Sequence, residues 1–257
     1  MPSPLYSTRR GHGPRVVLVH GFTQSANSWA RISLELEADF EVVTVDLPGH
    51  GRSAPPEPAS DLTQAAEALA QTGGAASYVG YSLGGRHCLQ LALQRPELVE
   101  RLVVVGAHPG IEDESGRSER RELDEQLASG LERGGDEMMP AFLDRWLAGP
   151  LFAHLDEEQA DRASRLANTS AGLAGSLRTA GTGTQTPLWG RLCELEMPVL
   201  VVVGAADDKF GPIARRTAEA IGPNARLAVV ARSGHAVCFE RPRSFVSLLR
   251  EFLGDRD

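Results

Sequence analysis

The run Gly80-Tyr81-Ser82-Leu83-Gly84 puts a serine between glycines, after the apolar stretch Ser77–Tyr81 and before a helical stretch that opens at Leu83. At a sharp strand-to-helix turn a serine hydroxyl stands exposed, and small flanking residues let strand and helix approach closely. The helix N-terminus adds unpaired backbone N–H groups and positive potential for a developing anion. A serine hydroxyl is inert at neutral pH unless an imidazole, oriented by a carboxylate, takes its proton. Both partners lie downstream in the order Ser, Asp, His. Asp207 follows the apolar run Val199–Gly204, and His235 sits in Ser233-Gly234-His235 after Leu227–Val230. Asp208 competes for the acid role, with Asp207 favoured because it lies three residues beyond Gly204. His20-Gly21-Phe22 follows the first clear apolar run, so the Phe22 N–H can join the Leu83 N–H as a pair of oxyanion donors. Such a set can attack a carbonyl or remove a proton beside one.

These residues need strands to hold them. Short apolar runs bounded by Gly, Pro and Asp occur at Val16–His20, Glu41–Asp46, Ser77–Tyr81, Leu102–Gly106, Val199–Gly204 and Leu227–Val230. Their β-branched character on both faces suits a parallel sheet covered by helices. Helical stretches alternate with them at Ala26–Glu37, Thr63–Gln71, Leu83–Gln94, Pro212–Ile221 and Pro242–Phe252. The alternation predicts a parallel α/β fold. One connection, 107–197, is 91 residues long, far more than a crossover needs. It reads as helical at Glu112–Arg133, Met138–Leu147 and Asp156–Leu177. The expected organisation is a core of 1–106 and 198–257 with a helical cap, 107–197, inserted over the pocket.

Composition limits the function classes. The chain has 257 residues, 42% of them hydrophobic and 23% charged, with a formal charge of −8, which is ordinary globular composition. No run approaches the 18–20 apolar residues of a membrane span, and the acidic balance argues against a nucleic-acid surface. The N-terminal 15 residues lack the apolar core of a secretory leader, so a cytoplasmic enzyme is expected. Cys88, Cys193 and Cys238 are too dispersed for a disulfide framework or zinc site and are expected to be buried thiols. No histidine pair has metal-ligand spacing, so neither metal nor cofactor is expected. His12, His87 and His154 read as surface or polar-contact residues, and His50 as part of a structural turn at 46–53. His108, just beyond Gly106, could reach the cleft and is assigned no role.

Together these elements resemble the α/β-hydrolase superfamily from about Gly13 to Leu253. A narrower resemblance rests on an arginine, Arg86, four residues after the serine, and on Pro109-Gly110-Ile111 followed by Arg120 and Arg121. It extends through Trp146, Pro150-Leu151-Phe152, the run Gly181-Thr182-Gly183-Thr184-Gln185 with Leu188-Trp189, and Asp207-Asp208-Lys209-Phe210. This set is similar to the 2-succinyl-6-hydroxy-2,4-cyclohexadiene-1-carboxylate (SHCHC) synthases of menaquinone biosynthesis. The resemblance implies a lyase that expels pyruvate by 2,5-elimination from a cyclohexene tricarboxylate, with Ser82, Asp207 and His235 as the triad. It further implies that Arg86, Arg120 (or the adjoining Arg121) and Arg165 hold substrate carboxylates, and that Tyr81 and Trp146 line the pocket. Guanidinium groups stay charged and bind carboxylates in a two-pronged geometry, which suits an anionic substrate. Two departures stand out: Cys238 replaces an expected His or bulkier residue near the pocket, and the short N-terminus predicts that the first strands are reduced or absent.

Other readings use the same residues. Arg86 could form a helix-surface ion pair, and Arg165 could pair with Asp161 four residues earlier. The triad would equally serve a carboxylester or C–C bond hydrolase, and a non-catalytic ligand receptor on the same fold is a further possibility.

Overall fold

In the computed structural model, which describes residues 4–254, seven strands form one sheet in the order β1-β3-β2-β4-β5-β6-β7. They are β1 (Ser7–Arg10), β2 (Arg15–Val19), β3 (Glu41–Val45), β4 (Ala76–Tyr81), β5 (Val99–Val105), β6 (Val199–Gly204) and β7 (Ala225–Val230). β1 lies antiparallel on the edge of β3, and every other neighbouring pair is parallel. The core helices are α1 (Ala30–Leu36), α2 (Leu62–Gly73), α3 (Leu83–Gln94), and, after the long insertion, α9 (Phe210–Ile221), α10 (Val237–Glu240) and α11 (Pro242–Gly254). Between β5 and β6 stand α4 (Glu114–Gly134), α5 (Met139–Leu147), α6 (Glu157–Ala160), α7 (Arg162–Arg165) and α8 (Ser170–Ala180).

Side chains alternate across a strand, and here both faces are covered. Val17, Val19, Val43, Val45 and Val104 pack with Leu69 of α2, Leu89 of α3 and Ala214 of α9. Val16, Leu18, Val42, Val103 and Val105 pack on the other face with Ile32 and Leu36 of α1 and with Phe245 and Leu249 of α11. Two-sided burial explains why these strands read as continuous apolar runs. β1 has no apolar residue, so periodicity does not reveal it. It is held by backbone pairing, by a Thr8–Thr44 hydroxyl bond of 2.8 Å and by ion pairs from Arg9 to Glu41 and Arg10 to Glu37. A charged strand of this kind suits a sheet edge.

The insertion has its own apolar cluster. In α4 only Asp124, Ala128 and Leu131 are buried, at helical spacing. The two apolar residues join Met139, Phe142 and Leu143 of α5 and Leu173, Ala174 and Leu177 of α8, with Phe22 and Trp146 packed against them. The helix expected over 156–177 is instead three pieces. Asp161 adopts a left-handed conformation (φ 47°, ψ 49°) between α6 and α7, and α8 restarts behind Thr169, whose hydroxyl accepts the Gly172 N–H at 3.1 Å. Asn168, in the break, donates to Thr23 O at 2.6 Å and accepts Gly51 N–H at 2.8 Å, tying the insertion to the loops after β2 and β3. Leu188, Leu192, Leu195 and Met197 pack in the sheet's own core.

Candidate active site

Ser82 sits between the end of β4 and the start of α3 with φ 51° and ψ −108°. A non-glycine residue held there stores about 1–3 kcal/mol of strain, so its surroundings must fix it. They do: Ser82 N–H donates to Val105 O at 2.8 Å, and a Cβ on Gly84 would lie 2.2 Å from Val19 O. Ser82 occupies the N-cap position of α3, yet its side chain makes no cap bond. Its hydroxyl instead faces His235 Nε2 at 3.3 Å. His235 Nδ1 donates to Asp207 Oδ2 at 2.9 Å, and the other Asp207 oxygen accepts the Phe210 N–H at 3.0 Å. That bond leaves Nε2 as the lone-pair nitrogen toward the serine, the tautomer a general base requires. Asp207 is 6% exposed and His235 3%, whereas Asp208 is exposed, so the geometry takes Asp207 and leaves Asp208 in solvent.

The loop after β2 is held by His20. Its Nδ1–H donates to Gly21 O at 2.8 Å and its Nε2 accepts the Leu47 N–H at 3.0 Å, while burial pulls its pKa down to about 3. Gly21 N–H donates to Gln24 Oε1 at 3.0 Å. Among the described residues no acceptor takes the Phe22 or Leu83 amide. The 46–53 turn is internally bonded as expected, with Asp46 accepting from the Arg52 amide and His50 Nδ1 donating to Pro48 O at 3.1 Å, and Asp46 also accepts the Ala26 amide from outside the turn. His87 is fully buried, its Nδ1–H on Leu83 O at 2.9 Å.

Ser82, Leu83, Phe22 and His235 open onto a cavity of about 110 Å³ whose walls include Arg86, Arg120, Arg165, Tyr81 and Trp146. Every residue expected at the site except Asp207, which stands behind His235, lines it. The walls also include His108, Lys209, Leu151, Phe152, Ser176 and Thr182. Phe152 and Lys209 lie in runs that the sequence singles out without giving either a role. Tyr81 packs 5.4 Å from the His235 ring and Phe210 at 4.4 Å from it.

The arginines settle their own alternatives. Arg86 is 8% exposed, and its NH1 donates to Gln185 Oε1 at 3.2 Å. Burial, then the Arg120 charge, pulls its pKa down to about 10. Arg165 is 1% exposed; its Nε donates to Ala160 O at 2.7 Å, its NH1 reaches the Thr23 hydroxyl, and its guanidinium lies 5.9 Å from the Phe152 ring centre. Burial lowers its pKa as well. Among the described residues neither arginine is within 4.0 Å of a carboxylate, so neither the surface ion pair for Arg86 nor the Asp161 pair for Arg165 forms. Arg120 donates to Asp124 Oδ1 at 2.9 Å, while Arg121 turns away to Glu114 and Gly183 O. Arg120 is therefore the cavity residue of the two. Asp124 acts on Arg86 and Asp161 on Arg165 only from beyond contact distance, so burial outweighs both and each buried cation carries a net cost.

Two further expectations change. Cys193 is exposed, unlike the buried Cys88 and Cys238. Cys238 packs in the core among Tyr81, Ala236 and Val237 and is not among the cavity walls. Of the two roles expected for His87, surface or polar contact, the structure takes the second, in the interior beneath Leu83.

An activated serine carried on a strand-to-helix turn above a mostly parallel sheet defines an α/β-hydrolase type of protein, and residues 14–242 match the family described as alpha/beta hydrolase fold. Similarity extends further. A 2-succinyl-6-hydroxy-2,4-cyclohexadiene-1-carboxylate synthase from Enterobacter sp. (strain 638) is 33% identical over 249 residues, covering 93% of this chain and 92% of that protein. A Bacillus subtilis (strain 168) relative, which carries the same name provisionally, is 35% identical over 252 residues, 93% of this chain and 89% of its own. The solved structure of MenH from S. aureus superposes with a TM-score of 0.89 at 27% identity, covering 98% of both chains. The chain belongs to the α/β-hydrolase fold family and, within it, to the family of 2-succinyl-6-hydroxy-2,4-cyclohexadiene-1-carboxylate synthases.

Proposed function

We propose that this protein is a cytoplasmic lyase that converts 2-succinyl-5-enolpyruvyl-6-hydroxy-3-cyclohexene-1-carboxylate (SEPHCHC) to SHCHC and pyruvate. The observation that carries the reading is the pair of buried arginines, Arg86 and Arg165, that lack a carboxylate partner and share a cavity with Ser82. The substrate bears three carboxylates, and Arg120 supplies a third guanidinium on the same walls. Helices α4 to α8 act as the cap that brings Arg120 and Arg165 over the serine.

In this reading Ser82 is the base. His235, held by Asp207, takes the hydroxyl proton as Ser82 Oγ removes the ring proton beside the succinyl ketone. The electron pair moves into the ring and onto the ketone oxygen, where the Phe22 and Leu83 amides stabilise the charge. Return of that pair shifts the ring double bond and breaks the bond from ring carbon to enolpyruvyl oxygen. The leaving enolate is protonated to pyruvate, and the diene product remains. No acyl-enzyme forms. Tyr81 and Trp146 shape the ring site, and the arginines align ring and leaving group.

The test is pyruvate release from enzymatically generated SEPHCHC, followed by a coupled NADH assay beside a Ser82→Ala control. A wild-type rate well above the spontaneous elimination, lost in the control, is expected. Equal rates for both, or none above background, would overturn the lyase reading.

A further inference from the structure

We propose that His108 is a further substrate-binding residue of this cavity, donating its Nε2–H to a substrate oxygen at the Arg86 and Arg120 end; the assignment rests on the lyase reading above. His108 lies three residues past the end of β5, where the carboxyl ends of parallel strands present ligand groups. It lines the cavity together with Ser82, Arg86 and Arg120.

Its tautomer is fixed. Nδ1 accepts the Gly110 N–H at 3.0 Å, so the proton sits on Nε2. The ring is clamped from behind by Trp189, edge to face at 5.9 Å, whose indole N–H donates to Gly110 O at 2.7 Å. The Arg216 guanidinium covers the Trp189 ring at 3.9 Å and is held by Glu112 through bonds of 2.5 and 2.9 Å. This chain anchors one edge of the imidazole, and Nε2 has no protein partner among the described residues.

The surroundings hold the ring neutral. Burial first, then the charges of Arg86, Lys209, Arg120 and Arg216, pull its pKa down to about 4. At neutral pH it therefore offers one donor and no charge. The cavity cations fall into two groups. Arg86, Arg120 and Lys209 act on His108, whereas Arg165 acts on Tyr81 and His20. A ligand in the cavity meets guanidinium groups from several walls, and His108 adds a neutral donor among them. There the arginines suit carboxylates, and a neutral donor suits a ketone or hydroxyl oxygen next to one. A site built to donate to such an oxygen discriminates strongly against an analogue that lacks it.

Two substitutions separate anchoring from binding. The carbonyl of His108→Asn reaches the Nδ1 position and can keep the Gly110 bond, but the side chain is too short to donate at Nε2. The amide of His108→Gln reaches the Nε2 position without that anchor. With SEPHCHC as substrate, we expect His108→Asn to lose about 10–100-fold in kcat/KM at unchanged Tm, and His108→Gln to recover most of it. Wild-type kcat/KM in His108→Asn, or no recovery in His108→Gln, overturns the assignment. A second readout is independent of turnover: the imidazole ¹⁵N spectrum of the full chain, titrated with the aromatic keto-dicarboxylate 2-succinylbenzoate. A neutral Nε2–H pattern whose Nε2 resonance moves on titration supports the contact, and an unmoved resonance refutes it. Absence of pyruvate release from the wild type would sink the lyase reading alone, because the ¹⁵N shift still reports on His108.

Discussion

Replacing Arg86 with methionine should make the protein more stable and nearly inactive, and both effects can be sized. The guanidinium has one protein acceptor, Gln185 Oε1 at 3.2 Å, and its pKa is drawn down to about 10. Relative to an ordinary arginine, that corresponds to about 3 kcal/mol, the cost of keeping the buried guanidinium charged. Methionine fills much of the same volume without the charge but strands Gln185, whose Nε2 already lacks a partner, at a cost of about 1 kcal/mol. The net gain is about 2 kcal/mol, or about 4–8 °C in Tm for a chain of this size. The sign with pH follows from the depressed folded pKa. The favourable contribution exists above the unfolded value and is lost as pH falls through about 10, so at neutral pH the native arginine is a burden. In the substrate complex the balance reverses, because losing one side of a buried ion pair costs about 3–5 kcal/mol. That predicts a fall in kcat/KM of about two to three and a half orders of magnitude. Pyruvate release and thermal unfolding, run on the same two preparations, check both numbers. A variant that loses activity together with several degrees of Tm would mean that Arg86 is a structural residue, and the reasoning from unmatched charge would be wrong.

Other consequences are as direct. Gly84→Ala should fail to yield folded protein, since its Cβ would sit 2.2 Å from the Val19 backbone oxygen; a soluble variant with native circular dichroism would contradict this. A thiol reagent should label Cys193 alone in the native state and all three cysteines in denaturant, and native labelling of Cys88 or Cys238 would show that their burial is overstated. Burial raises the Asp124 pKa, so its ionised form weakens the fold at neutral pH, and stability from this site returns as pH falls through the raised value. The stability difference between wild type and Asp124→Asn, followed by urea unfolding across that range, should change with pH in this direction, and a pH-independent difference would refute it. Phe152, whose ring stands near Arg165, is one of five residues that line both the 110 Å³ cavity and a neighbouring one of about 480 Å³. Phe152→Ala should join them and raise activity on bulkier substrates relative to SEPHCHC, which competition kinetics would reveal.

What was legible in the sequence follows from which interactions are local. The strand runs were readable because β2 to β6 are buried on both faces, and Ser82 was readable because the turn demands glycines at fixed offsets. β1 escapes because an edge strand of Ser, Thr and Arg carries no hydrophobic pattern, and the helix read over 156–177 is too long because its breaks depend on a left-handed Asp161 and on the Thr169 cap that restarts α8. The arginines lay between these cases. Their presence is visible, but whether each meets a carboxylate, and which, is a matter of tertiary geometry, as the adjacent Arg120 and Arg121 show by taking different partners. Sequence alone assigns His108 no role, since its claim rests on a clamp assembled from Gly110, Trp189, Arg216 and Glu112, up to 108 positions away. The two kinds of residue therefore call for different arguments. A triad is recognised by the bonds its members make, whereas a ligand-binding group is recognised by the bonds it leaves unmade after the fold has satisfied its neighbours. By that criterion Arg86, with one protein acceptor and no carboxylate within 4.0 Å, and the Nε2 edge of His108 are the groups on which the proposed substrate contacts rest.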